Sequence, residues 1–157
     1  MYKHAPLCIL ALIASQALAE TTVPDYSDNR SSAADVVRSL YNAINRHEYL
    51  RGWSYYRPDS APEYRSFADG YGDTDQVALR VGTVTSDGAA GSIHSQVPVA
   101  LRATSMNGTV AVYEGCYFLT QVLPAIQETP PFRPIMIDVG HLKKTAKTFA
   151  KAMGTCD

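Results

Sequence analysis

The residues of this chain that could do chemistry are few and scattered. His47, His94, Asp69, Asp73 and Asp75 are the polar candidates. Asp73 and Asp75 flank Thr74, where capping and turn formation already give carboxylates a reason to be present. A pair of acids with no base or metal partner does not make a general acid–base site. His47 falls at the expected end of a helix, and His94 alternates with Ile93 and Ser95 toward the less apolar side of a strand. No nucleophile elbow, phosphate-cradling glycine loop or His-Glu-x-x-His motif occurs. Structural zinc needs four clustered ligands, whereas the four histidines here are dispersed, so neither a metal nor a cofactor is expected.

The cysteines gain meaning from the start of the chain. Lys3 and His4 precede an apolar run from Ala5 to Ala14, and Ala17-Leu18-Ala19 supplies the small residues a signal peptidase accepts before Glu20. A spanning helix needs about 20 apolar residues, which this stretch does not reach. Residues 1–19 therefore read as a cleavable signal peptide, with the product secreted or periplasmic and no stable membrane insertion expected. Cys8 leaves with the leader. Cys116 and Cys156 remain, and in an oxidising compartment the expected state is a disulfide between them. A loop of about 40 residues closed in this way contributes roughly 3 to 4 kcal/mol in the chain-entropy model.

Composition sets limits on partners. A formal net charge of −1, with acidic and basic residues intermixed, offers no stripe for a phosphate backbone, so nucleic-acid binding is not expected. Ten tyrosines are the more telling feature. Each joins an apolar ring to a hydroxyl that needs a partner, which suits core edges and pocket linings alike.

Residues 20–30 are polar and aperiodic, a short leader into a domain over 31–140. Ser32 with Asp35 resembles a capping signal, and Val36, Val37, Leu40, Tyr41 and Ile44 recur at helical spacing, predicting a helix over 33–46. Tyr49, Leu50, Trp53 and Tyr56 predict a second over 48–56, stopped by Pro58, and Pro62 opens a short third one. From Asp75 the period becomes alternating. Val77, Leu79 and Val81 mark a first strand that the turn Asp87-Gly88 is expected to end, and Ile93 to Leu101 mark a second. Asn107-Gly108 supplies a hairpin turn, Val110 to Val122 a third strand, and Ile135 to Val139 a fourth. Pro98, inside the second strand, predicts a bulge or an edge contact. Leu142, Ala146, Phe149 and Met153 form one stripe among lysines, so residues 141–157 are expected to hold an amphipathic basic helix and a tail tethered through Cys156.

This order is α+β: three helices, then a four-stranded antiparallel meander. Tyr41-Asn42-Ala43-Ile44-Asn45, Tyr49, Trp53, Phe67, Gly70-Tyr71 and Thr74 ahead of that meander resemble the nuclear transport factor 2-like superfamily, closest to small exported bacterial proteins of unassigned function. The resemblance implies a cone-shaped fold with three N-terminal helices packed on a curled four-stranded sheet. Tyr41, Ile44, Trp53, Tyr56, Phe67 and Tyr71 would border its cavity, with Tyr113, Tyr117 and Leu119 reaching it from the third strand. Cys116 would then face away, toward the tail.

Ketosteroid isomerase, within that superfamily, joins a first-helix tyrosine to acids in a greasy pocket. The matching helix position here is Leu40, with Tyr41 one residue late, and a one-residue shift turns a side chain by about 100°. Glu114 alternates onto the opposite face of its strand. The expected function is therefore non-catalytic binding of a small apolar molecule or a protein partner. The alternatives are an enzyme of isomerase, dehydratase or hydrolase type, using an acid such as Asp73, and a structural subunit forming a homodimer through its sheet.

Overall fold

The structure, a computed structural model, describes residues 22–157; the predicted signal peptide lies outside the described residues. The first helix, α1 (Ala33–Asn45), begins where its sequence signal says it should. Ser32 holds an extended backbone, its hydroxyl accepts the Asp35 N–H at 3.2 Å, and that hydroxyl in turn donates to the Asp35 carboxylate at 2.6 Å. Val36, Val37, Leu40, Tyr41, Ala43 and Ile44 form its buried face. His47, at φ 56°, turns the chain out of the helix. Two short helices follow, α2 (Tyr49–Trp53) and α3 (Tyr64–Gly70), the latter capped by the Glu63 carboxylate on the Ser66 N–H.

Five strands make one curled antiparallel sheet: β1 (Thr74–Val81), β2 (Thr85–Ala89), β3 (Ser92–Ser105), β4 (Val110–Val122) and β5 (Met136–Thr145). The order is β1-β3-β4-β5, with β2 lying beside the first half of β3. The third predicted strand coincides with β4, and Asn107-Gly108 forms the β3–β4 turn with Gly108 at φ 82°.

Three expectations need correction. The sheet has five strands rather than four: Asp87-Gly88 sits inside β2, and the turn into β3 is Ala90-Gly91, both with positive φ. The last strand does not stop at Val139 but runs to Thr145, across the expected boundary at residue 140. The C-terminal helix is absent, because Leu142, Lys143, Lys144 and Thr145 pair with Gly115, Glu114, Tyr113 and Val112 of β4. An available partner strand satisfies the backbone of these residues better than an isolated helix of three turns could.

Pro98 lies at neither a bulge nor an edge strand. Its carbonyl accepts the Gly82 N–H at 2.8 Å, so the side of β3 lacking a donor faces the break between β1 and β2, where no ladder bond is required.

Residues after β5 fold back over the outer face of the sheet. Cys156 is bonded to Cys116, as expected, with Cα atoms 5.2 Å apart, and Ala152 is fully buried. Gly154 is required here, since a Cβ on it would collide with the Gly115 backbone. At the opposite end of the chain, residues 22–31 wrap α1 and α2 by hydrogen bonds. Asn42 bonds Asp25 and Ser27, Ser39 bonds Asn29, and Arg46 reaches the Pro24 carbonyl.

Candidate functional site

Between α3 and the inner face of the sheet lies a groove of about 360 Å³. Tyr41 reaches it from α1, Ser66 and Phe67 from α3, and Tyr71 from the residue that ends α3. Val77, Leu101, Ala103, Tyr113 and Leu142 come from the strands. Four of the residues assigned to a pocket by the sequence therefore meet there: Tyr41, Phe67, Tyr71 and Tyr113. Tyr117 stands behind Tyr41, fully buried, with the two hydroxyls 2.7 Å apart and the rings edge to face. Tyr56 lies beside the Tyr117 hydroxyl and packs edge to face on Phe67.

Neither Tyr117 nor Tyr56 is part of the groove's lining, nor are the remaining three. Ile44 and Leu119 are core side chains. Trp53, half-buried on the flank, donates from Nε1 to the Pro62 carbonyl at 2.7 Å and meets Tyr64 edge on. Alternation and helical spacing identify an inward-facing side chain without separating those that line a void from those that fill the core.

Burial pushes the phenols of Tyr41 and Tyr117 well above their ordinary value near 10, and raises Tyr56 and Tyr71 as well. These hydroxyls stay neutral at physiological pH and act as hydrogen-bond donors and acceptors rather than bases. No residue lining the groove carries a carboxylate or an imidazole, and Asp69, Asp73 and Asp75 lie outside its lining. Glu114 is on the opposite face of the sheet, as alternation predicts, where its carboxylate accepts both Lys147 Nζ at 3.0 Å and the Met153 N–H. Those bonds hold it below the usual glutamate range.

A second constellation escaped the sequence reading. β5 carries a bulge at Asp138, opposite Phe118 and Leu119 of β4. The bulge aims the Asp138 carboxylate at Thr120, whose hydroxyl donates to it at 2.6 Å, while Arg57 donates to its other oxygen at 3.2 Å. With its one proton committed to Asp138, the Thr120 hydroxyl accepts from His94 Nδ1 at 3.0 Å. This makes Nδ1 a protonated donor on an exposed ring, with Nε2 outside the chain of hydrogen bonds. The adjoining cavity, about 80 Å³, is far below the ~300 Å³ that ligand burial generally takes. Of its four members the sequence reading had named only His94, on the less apolar side of its strand.

A larger cleft of about 610 Å³ opens between the tail and β5. Its walls are mixed: Leu142 and Met153 stand beside Glu114, His141, Lys143, Lys147 and Asp157, so it carries several charged groups where the groove has none.

Comparison with protein-family models, with curated proteins and with solved structures finds no match for this chain.

Proposed function

We propose that this is an exported, non-catalytic binding protein whose groove takes a small, uncharged, largely apolar molecule. The observation that carries the proposal is the lining itself: aromatic and aliphatic walls, a few hydroxyls, and no ionisable group able to act as a base at neutral pH. Such a site gains affinity from apolar area and orientation from hydroxyls, and offers nothing to move a proton during a reaction. Tyr41 and Tyr71 would orient the ligand, with Tyr117 fixing Tyr41 from behind. Export is supported by the leader-like residues 1–19 and by the Cys116–Cys156 bond, of a kind that persists in oxidising compartments. Three helices on one side of a curled sheet agree with the nuclear transport factor 2-like resemblance, which belongs to this proposal.

The test is retention from a mixed extract of apolar metabolites, followed by mass spectrometry of what stays bound. An unchanged compound, lost in a folded Ala103→Phe variant whose new ring fills the groove, is the expected result. Failure to retain any compound, or equal retention by Ala103→Phe, refutes it.

One observation favours an enzyme instead: the Arg57–Asp138–Thr120–His94 chain presents an oriented, exposed imidazole nitrogen. On that reading the retained compound emerges altered, and His94→Gln abolishes the alteration while Ala103→Phe does not.

A further inference from the structure

The cations of this chain are unevenly neutralised. Arg30, Arg38, Arg46, Arg51 and Arg57, all in the N-terminal part of the domain, are each paired with a nearby carboxylate. The opposite holds near the C terminus, where no Asp or Glu occurs between Val139 and Cys156 while four lysines do. The fold gathers most of these charges on the outer face of the sheet. Arg80 and Arg102 lie against the Phe149 ring, 5.8 and 5.3 Å from its centre, and Arg80 also donates to the Phe149, Ala150 and Ala152 carbonyls, which pins the turn there. Lys143 stands in register with Glu114, Lys147 bonds it, and Lys151 is exposed on the pinned turn. Around the Phe149 turn Glu114 and Asp157 are the acids beside five cations, while Asp87 and Asp138 lie on the same face at its other end, level with His94 and Thr120.

An apolar rim adjoins the same face. Val110, 55 % exposed, follows the alternation of Val112, which pairs with Arg102, and Met106 at the hairpin turn is 56 % exposed. Asp73, exposed, sits beside this rim, its carbonyl accepting the Met106 N–H.

We propose that this face docks the protein peripherally on an anionic phospholipid surface, with the cations against the headgroups and Val110 and Met106 at the acyl boundary. Basic side chains near such a surface each add to the attraction, salt screens it, and apolar side chains distinguish a bilayer from a soluble polyanion. Among the described residues no helix is long and apolar enough to cross a membrane, so the contact is one of surface only.

The test is cosedimentation of the disulfide-bonded protein with vesicles of phosphatidylcholine alone or mixed with phosphatidylglycerol at about three to one. Binding is expected only to the mixed vesicles, and is expected to fall as salt rises from roughly 20 to 300 mM. Lys143→Gln/Lys151→Gln removes two exposed charges without touching the Glu114–Lys147 pair and should weaken partitioning about thirtyfold. Arg65→Gln, an equal change of charge per site on exposed α3, should leave it unchanged. Val110→Ser should weaken vesicle binding but not binding to duplex DNA, the soluble polyanion used as a comparison. Equal binding to neutral vesicles, an equal loss in Arg65→Gln, or DNA binding as tight as vesicle binding with Val110→Ser inert would overturn the proposal.

Discussion

The paired hydroxyls of Tyr41 and Tyr117 make a prediction with a calculable size. Tyr117→Phe keeps the ring and deletes one partner of a buried hydrogen bond, which costs roughly 1 to 2 kcal/mol at about pH 8. Burial keeps Tyr117 protonated in the folded state well past its ordinary value of 10.0, whereas the unfolded chain releases the proton near that value. The stabilisation from this group is therefore full below pH 10 and is lost as pH rises above it. At about pH 11, one unit beyond the unfolded value, ionisation of the unfolded tyrosine favours unfolding by about 1.4 kcal/mol, a term the phenylalanine variant lacks. The stability gap between wild type and variant should shrink by that amount between about pH 8 and pH 11. Lysines and the remaining tyrosines titrate alike in both proteins and cancel. Urea unfolding followed by the fluorescence of the single tryptophan, Trp53, at matched ionic strength gives both gaps. A gap that does not change with pH would mean that Tyr117 ionises equally in both states, and hence that water reaches the wall behind the groove.

Two further outcomes test the frame around the site. Cys156→Ser should lower stability by about 3 kcal/mol and release Ala152 and Met153 from the sheet, read by denaturation and by proteolysis of the tail. Asn45→Ala should cost about 1 to 3 kcal/mol, because its carboxamide both donates to the Val77 carbonyl at 2.9 Å and accepts the Val77 N–H at 2.7 Å; faster hydrogen exchange at the Val77 amide would report it.

Elements with strong local signals were legible in the sequence. The Ser32–Asp35 cap, the apolar face of α1, the Asn107-Gly108 turn and the whole of β4 follow from spacing and turn chemistry alone. β2 was not legible, because its five residues are all exposed and include no large apolar side chain, leaving no alternation to mark them, and because Asp-Gly normally signals a turn. The C-terminal helix failed for a tertiary reason. Leu142, Ala146, Phe149 and Met153 do fall at helical intervals, but β4 is long enough to pair with residues up to Thr145, and the tail is then held by Cys116 and Gly115. The groove was half legible, since inward-facing tyrosines announce themselves by period while the void beside them depends on packing. The His94–Thr120–Asp138–Arg57 chain was illegible because four separate segments build it, and a one-residue bulge decides where Asp138 points.

The Asn45 carboxamide has a consequence beyond the stability of β1. A sheet's outermost strand carries unmatched amides and carbonyls that can recruit a strand from another molecule, the first step toward aggregation. Asn45 occupies both groups of Val77 as a one-residue surrogate strand, and the backbone of Tyr55 and Arg57 does the same for Ile137 on the far side of the sheet. Past Ile137, Lys143 and Lys144 add charge to the exposed stretch of that border. Each of these two outer strands is thereby blocked at one residue, Val77 on β1 and Ile137 on β5, against continuous pairing with a strand from a neighbour.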